Sequence, residues 1–271
     1  MYLADYHTHS RISPDGRATM AEMARAALDK GFQEICFTDH VEPIVWGGCE
    51  LRPLPYDWEK LKREFEEARE ALGDQMTLRL GIELGDAVQD FGHTAKLLEG
   101  APKFDFIIGS IHLLSPAMGN EDLYLFTPKD EAGAHDGIRD YLKRVREFVE
   151  WDGPFSVLGH LTLPLRYLNE LRGFHLTFDG YEREVEEILR RLIAKGRGIE
   201  VNTNRGNDPL PGEKWLRMYR DLGGQIITLG SDAHTPSQVG WAIPETQELL
   251  KRCGFEAFCT FANMEPIWHK L

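Results

Sequence analysis

Short apolar runs rich in β-branched residues alternate along this chain with longer stretches in which apolar side chains recur every three or four positions. The first pattern fits buried strands, and the second fits amphipathic helices packed on a sheet. The runs predict seven strands: Leu3–His7, Glu34–Thr38, Thr77–Glu83, Phe104–His112, Phe155–His160, Gly198–Asn202 and Gln225–Ser231. Their alternation with helical stretches is that of repeated βα units around a mostly parallel sheet. Between the first two strands, Thr19 with Glu22 three positions on forms a capping box, and Gly31 ends the helix. Asp57 precedes a helix that puts Trp58, Leu61, Phe65, Ala68 and Leu72 on one face; Tyr181, Val185, Ile188, Leu189 and Leu192 repeat that spacing. Charged runs such as 62–67 are the solvated sides of these helices.

Two segments, Glu42–Tyr56 and Leu113–Gly137, are rich in Gly, Pro and acidic residues and exceed the usual connection length, which marks them as candidate active-site loops. Neither has the character of a domain linker. With 271 residues, 42% hydrophobic and 28% charged, the composition is that of a folded globular protein. One domain over residues 1–271 is expected, because α/β barrels of roughly 250 residues commonly form one unit. Lys and Arg number 31 against 44 Asp and Glu, a formal charge of −13 that disfavours long nucleic acid as a partner. No apolar run reaches the roughly 20 residues needed to cross a bilayer, and Met1–Ser10 has no signal-sequence pattern. The four cysteines form no CxxC pair and read as buried free thiols, so the expected setting is cytoplasmic, without a membrane partner.

Position is the informative feature. Six of the seven strands end at or beside a His, Asp or Glu: His7 and His9, Asp39 and His40, Glu83, His112, His160, then Asp232 and His234. Only Gly198–Asn202 ends otherwise. In a barrel of parallel strands the C-terminal ends meet on one face, where barrel enzymes carry their chemistry. His7 and His9, and again Asp232 and His234, stand two apart and in extended chain point to the same side. So many imidazoles and carboxylates gathered without an ion would leave a costly group of desolvated polar atoms. A nitrogen and oxygen donor set without thiolate suits Zn, Mn or Fe and leaves the choice among them open. His93, His135, His175 and His269 follow no strand and read as surface or packing residues.

These residues resemble the polymerase and histidinol phosphatase (PHP) superfamily of metallohydrolases. The resemblance rests on His7-Thr-His9, Thr38-Asp-His40, Gly81-Ile-Glu83, Gly109-Ser-Ile-His112, Gly159-His160 and Gly230-Ser-Asp-Ala-His234, all in family order and spanning nearly the whole chain. Length and the segment 222–234 look most like the stand-alone histidinol-phosphate phosphatases. The resemblance implies an α/β fold, a distorted (β/α)7 TIM-like barrel with two to three divalent ions at the C-terminal ends of its strands. Carried over by position, a first ion takes His7, His9 and Asp232, and Glu83 bridges it to a second held by His112 and His160. A third would use Asp15, His40 and His234, with Asp15 standing where many relatives have His. Asp39 supports its neighbour.

The reaction the resemblance implies is hydrolysis of a small phosphomonoester, L-histidinol phosphate, to L-histidinol and phosphate in histidine biosynthesis. A hydroxide between two divalent ions would attack phosphorus in line, and the ions would polarise the phosphoryl oxygens. Arg166 and Arg205 are the candidate phosphate donors on strand-end loops, and Asp232, His234 and metal-bound water are candidate donors of the leaving-group proton. Trp46, Phe91, Tyr167 and Asp86 lie on loops suited to hold an imidazole and an ammonium, but read first as packing residues. Two further readings are a PHP phosphatase or exonuclease acting on nucleotides or oligonucleotides, which would show a basic, aromatic-lined groove, and a non-catalytic module stabilised by metal.

Overall fold

The computed structural model describes residues 1–43 and 55–271. Its sheet runs in the order β1 (Ala4–Thr8), β2 (Glu34–Phe37), β4 (Thr77–Gly85), β5 (Phe106–Ser110), β6 (Val157–Leu158), β7 (Gly198–Asn202) and β8 (Ile227–Gly230), every neighbouring pair parallel. A two-residue strand, β3 (His40–Val41), continues the line of β2 along β4 and sets His40 opposite Glu83. The distorted seven-stranded barrel that the resemblance implies is what the chain forms. Helices α1 (Met20–Asp29), α2 (Trp58–Leu72), α3 (Phe91–Leu98), α4 (Glu131–Glu150), α5 (Glu182–Ala194), α6 (Glu213–Asp221) and α7 (Ile243–Cys253) follow or connect the strands.

Local chemistry sets these elements. The Thr19 hydroxyl accepts the Glu22 N–H at 3.1 Å and the Glu22 carboxylate accepts the Thr19 N–H at 2.8 Å, a capping box closed in both directions. Asp57 caps α2 through the Lys60 N–H, and Leu61, Phe65, Ala68 and Leu72 bury the predicted stripe. Val185, Ile188, Leu189 and Leu192 do the same on α5.

Three features depart from the sequence reading. Four strands, β2, β5, β6 and β8, end earlier than their apolar runs do, and before His160 and Asp232 the chain bends out of the ladder, with φ of 20° and 58° at those residues. The predicted loop Leu113–Gly137 gives way to α4 at Glu131, capped by Asp130. Glycines at 133 and 137 obscured that start; Gly137 is buried, and a Cβ there would fall 2.4 Å from the Phe126 ring. The C-terminal hairpin of β9 (Ala257–Ala262) and β10 (Glu265–Lys270) was also not anticipated. Its turn is Asn263-Met264, both at positive φ, in place of the Asn-Gly that marks such turns in sequence. Phe261 of this hairpin packs on Phe106 and its carbonyl accepts the Tyr6 hydroxyl.

The barrel closes between β1 and β8 with little backbone ladder: one bridge pairs Thr8 with Ala233, and the His9 and Asp232 N–H groups donate to the Ala233 and His7 carbonyls at 2.8 Å. Asp5 completes the seam. Its fully buried carboxylate accepts the Ser231 N–H and hydroxyl at 2.9 and 2.5 Å and the Gly240 N–H at 2.7 Å. Asp5→Ala is expected to cost about 2–6 kcal/mol, because it strands two buried N–H groups at about 1–3 kcal/mol each. A urea-unfolding midpoint equal to that of the parent would show that the seam does not depend on Asp5.

Candidate metal centre

Glu83, near the end of β4, is 1% exposed and stands at the middle of the cluster. Its Oε2 lies 3.0 Å from His40 Nδ1, 3.2 Å from His7 Nε2 and 3.6 Å from His9 Nε2. Its Oε1 lies 2.8 Å from His160 Nε2 and 3.2 Å from His112 Nε2. The two oxygens of one carboxylate thus face two sets of imidazoles. Asp232 Oδ1 approaches His9 Nε2 at 3.4 Å and His7 Nε2 at 3.7 Å, and His9 is stacked between His40 and His234 with ring centroids 4.3 and 4.2 Å away.

The imidazoles are aimed, and the aiming decides which nitrogen carries the proton. His7 Nδ1 lies 2.5 Å from Glu200 Oε1, His112 Nδ1 lies 3.1 Å from Glu42 Oε1, and His234 Nδ1 lies 2.9 Å from the Asp232 carbonyl. His9 Nδ1 meets the Ser13 hydroxyl at 3.1 Å; that hydroxyl donates to Asp39 at 2.7 Å, so it must accept from His9. In each case Nδ1 holds the hydrogen and Nε2 presents a lone pair to the interior. His7 Nε2, His9 Nε2 and Asp15 Oδ1 are buried and have no hydrogen-bond partner. Buried orphan lone pairs of this kind fit a divalent cation.

Among the described residues, four groups of side chains bring ligand atoms within 4.8 Å of one another: His7/His9/Asp232, Glu83/His112/His160, His9/His40/His234 and His40/Glu42/His112. The first two are the sets carried over from the resemblance, with Glu83 between them. The expected third set is joined less tightly: Asp15 Oδ2 lies 3.0 Å from His234 Nε2 and 3.7 Å from His40 Nε2.

Charges reinforce the arrangement. Burial alone would raise Glu83, but His7, His112 and His40 hold its carboxyl well below the usual range. Burial also works against the ionised Asp232, yet His7 and Arg166 hold it well below its ordinary value. For His9, burial and then His234 and His40 depress the pKa, which keeps the ring neutral and able to ligate. His7 moves the other way: burial opposes its charge, and Glu200, Glu83 and Asp232 overcome it. A divalent cation therefore competes with a proton at His7.

Above the cluster lies a cavity of about 680 Å³. Arg205 lines it, solvent-exposed at a positive φ of 56° and without hydrogen bond or ion pair among the described residues. Arg166, at the start of a π-helical turn, also lines it but is 5% exposed and committed: its guanidinium donates to Asp232, Asn204 and Asn202 at 2.7, 2.8 and 2.8 Å. Tyr124, Leu125 and Tyr167 supply an apolar wall, with Asp122 and Glu170 as acids. Asp86 lies behind the site, accepting the His112 and Leu113 N–H groups, and Phe91 stacks on Trp151. Trp46, Cys49 and most of the predicted loop Glu42–Tyr56 lie outside the described residues. His135 bonds the Tyr181 hydroxyl and His269 stacks on Tyr2, both as packing residues, although His269 sits within a strand. Cys36, Cys253 and Cys259 are buried free thiols, and no described helix is long and apolar enough to cross a membrane.

Sequence reasoning missed Glu200, Glu42, Asn202 and Asn204. The strand set aside for lacking a ligand at its end bears Glu200 in its middle; an acid inside Gly198-Ile-Glu200-Val-Asn202 was the available signal.

The PHP domain family model matches residues 5–204. A histidinol-phosphatase of Lactococcus lactis subsp. lactis is 29% identical over 266 residues, covering 96% of this chain and 95% of the relative. One from Bacillus subtilis is 24% identical, covering 93% and 100%. Among solved structures, the histidinol phosphate phosphatase of L. lactis complexed with zinc, L-histidinol and phosphate superposes with a TM-score of 0.81 at 24% identity, covering 98% of both chains.

If the orphan lone pairs hold cations, zinc or manganese at about 100 times its dissociation constant should stabilise chelator-treated protein by about 2.7 kcal/mol, a rise of about 5–10 °C in melting temperature. The His7→Ala/His9→Ala double variant should lose most of that rise. Thermal melts with and without cation check both, and no rise in the parent would remove the cations from this cluster.

Proposed function

The chain belongs to the PHP domain family, and from that premise we propose that it is a metal-dependent phosphomonoester hydrolase converting L-histidinol phosphate to L-histidinol and phosphate. The observation that carries the reading is Glu83, whose two oxygens face two imidazole sets beneath a cavity lined by an uncommitted arginine. Two or three divalent ions of the zinc, manganese or iron kind, held by His7, His9, Asp232, Glu83, His112 and His160, with Asp15, His40 and His234 for a third, would supply Lewis-acid charge and an activated water.

The chain's own residues do the rest. Arg205 offers its free guanidinium to the phosphoryl dianion. Arg166 acts at one remove, holding the Asp232 carboxylate by its NH1 while Asn202 and Asn204 hold the remaining edges of its fork. Asp232, kept ionised by His7 and Arg166, has no proton to give, which leaves water, or His234 when only two ions are bound, to protonate the departing alkoxide. His234 is suited to this by its position at the cavity wall, with its side chain 24% exposed while the other imidazoles of the cluster are buried. Asp122 and Glu170 favour a cationic alcohol over a second anion, and Tyr124 and Tyr167 provide faces for an imidazole. Those acids also weigh against nucleotides and oligonucleotides, which want a basic groove.

The test is a panel of phosphomonoesters assayed with zinc, manganese and iron. Phosphate release from histidinol phosphate should exceed that from nucleoside monophosphates; rapid hydrolysis of nucleotides with none of histidinol phosphate would overturn the reading. Arg205→Ala is expected to raise KM or lower kcat at least 10-fold, on the order of 1.5–3 kcal/mol for a charged hydrogen bond. Unchanged kinetics would take Arg205 out of the site.

A further inference from the structure

Glu200 is fully buried in the middle of β7, and both of its oxygens are committed. Oε1 meets His7 Nδ1 at 2.5 Å and Oε2 accepts the His160 N–H at 2.8 Å. His7 belongs to the group with His9 and Asp232, and His160 to the group with Glu83 and His112. We propose that Glu200 is a positioning residue that ties the two cation positions together, holding one ligand of each by one of its oxygens.

Each contact has a separate consequence. A carboxylate accepting from Nδ1–H fixes the tautomer of His7, turns its ring and makes Nε2 a stronger donor toward a cation. The contact to His160 is with the backbone. It holds the N–H of a residue at φ 20°, a conformation that side chains rarely adopt, and so holds the direction in which that imidazole leaves β6. Glu200 touches neither the cavity nor the reacting atoms, and acts only through these two histidines.

The neighbouring strands are shaped around the carboxylate. A Cβ at Gly230, the last residue of β8, would fall 2.3 Å from Glu200 Oε1 and 2.3 Å from the His7 Cβ. A Cβ at Gly159, just before His160, would fall 2.6 Å from the Ser110 hydroxyl, which itself donates to Glu83 at 2.6 Å. Glycine on both sides thus leaves room for the pair Glu200–His7 and for the bond that steadies Glu83.

This inference rests on the reading of the cluster as a cation site. The experiment is a competitive titration of the full chain, stripped by chelator, with zinc against a chromophoric chelator, together with the visible absorption of the cobalt-loaded protein. Glu200→Gln keeps the size of the side chain but can accept from only one of the two N–H groups, the other then facing its NH2. Affinity for the two tightest zinc ions should fall about 10–100-fold and the cobalt spectrum should change. A purely structural role would lower stability and leave both unmoved. If the amide variant does not fold, Glu200→Asp serves, since it draws the charge back from His7; about a tenfold loss is expected. Zinc affinity and cobalt spectrum equal to those of the parent would overturn the proposal while leaving the cation reading intact. A parent chain that binds no zinc would overturn both.

Discussion

A single buried carboxylate facing imidazoles from several strands is the constraint on which this structure depends. Glu83 cannot sit ionised at 1% exposure without positive charge on both sides. The fold supplies the imidazoles that can carry that charge, as a bound cation or a proton, by bringing the ends of β1, β5 and β6 and the short β3 to the same level as the end of β4. Closure of the barrel is therefore a condition of the site. The seam between β1 and β8 sets His7 and His9 beside Asp232, and it is held by the Asp5 carboxylate together with a few backbone bonds.

Behind His7, His9, His112 and His234 stands a second circle of acceptors that fixes these four rings. Glu200, Glu42, the Asp232 carbonyl and the Ser13 hydroxyl each take an Nδ1–H, and Asp39 in turn takes the hydrogen of Ser13. These four rings share one orientation, with lone pairs inward and hydrogens outward, whereas His40 turns its Nδ1 toward Glu83. Arg166 belongs to the same circle, since its fork is spent on Asp232, Asn202 and Asn204. Arg205, with no such partners, is the group left for a substrate anion. A divalent ion would replace repulsion among the rings with coordination, so a cluster that is costly as a set of bare polar groups becomes a stable one.

Much of this was legible in the chain. Apolar runs marked the seven main strands of the barrel, though not the two-residue β3, and His or acid at their ends marked the residues that gather around Glu83, because β-strands that converge must bring their last residues together. The capping box of α1 and the stripes of α2 and α5 were readable for the same local reasons. What escaped depended on contacts remote in sequence. Glu200 gains its role from His7, 193 positions away, and nothing at its own place in β7 announces that partner. Arg166 resembled a phosphate donor by its loop, and only the folded chain shows its hydrogens already engaged. The C-terminal hairpin was hidden by a turn lacking glycine, and α4 by glycines whose reason, the closeness of Phe126, is tertiary.

The most direct measurement is anomalous diffraction from crystals of the protein grown with zinc or manganese, recorded on both sides of the metal's absorption edge. The account requires at least two anomalous peaks flanking Glu83, one on each carboxylate oxygen, at about 2.0–2.2 Å from the ligand atoms. Anomalous density confined to the molecular surface, with the imidazoles still ordered around an undisturbed Glu83, would contradict it.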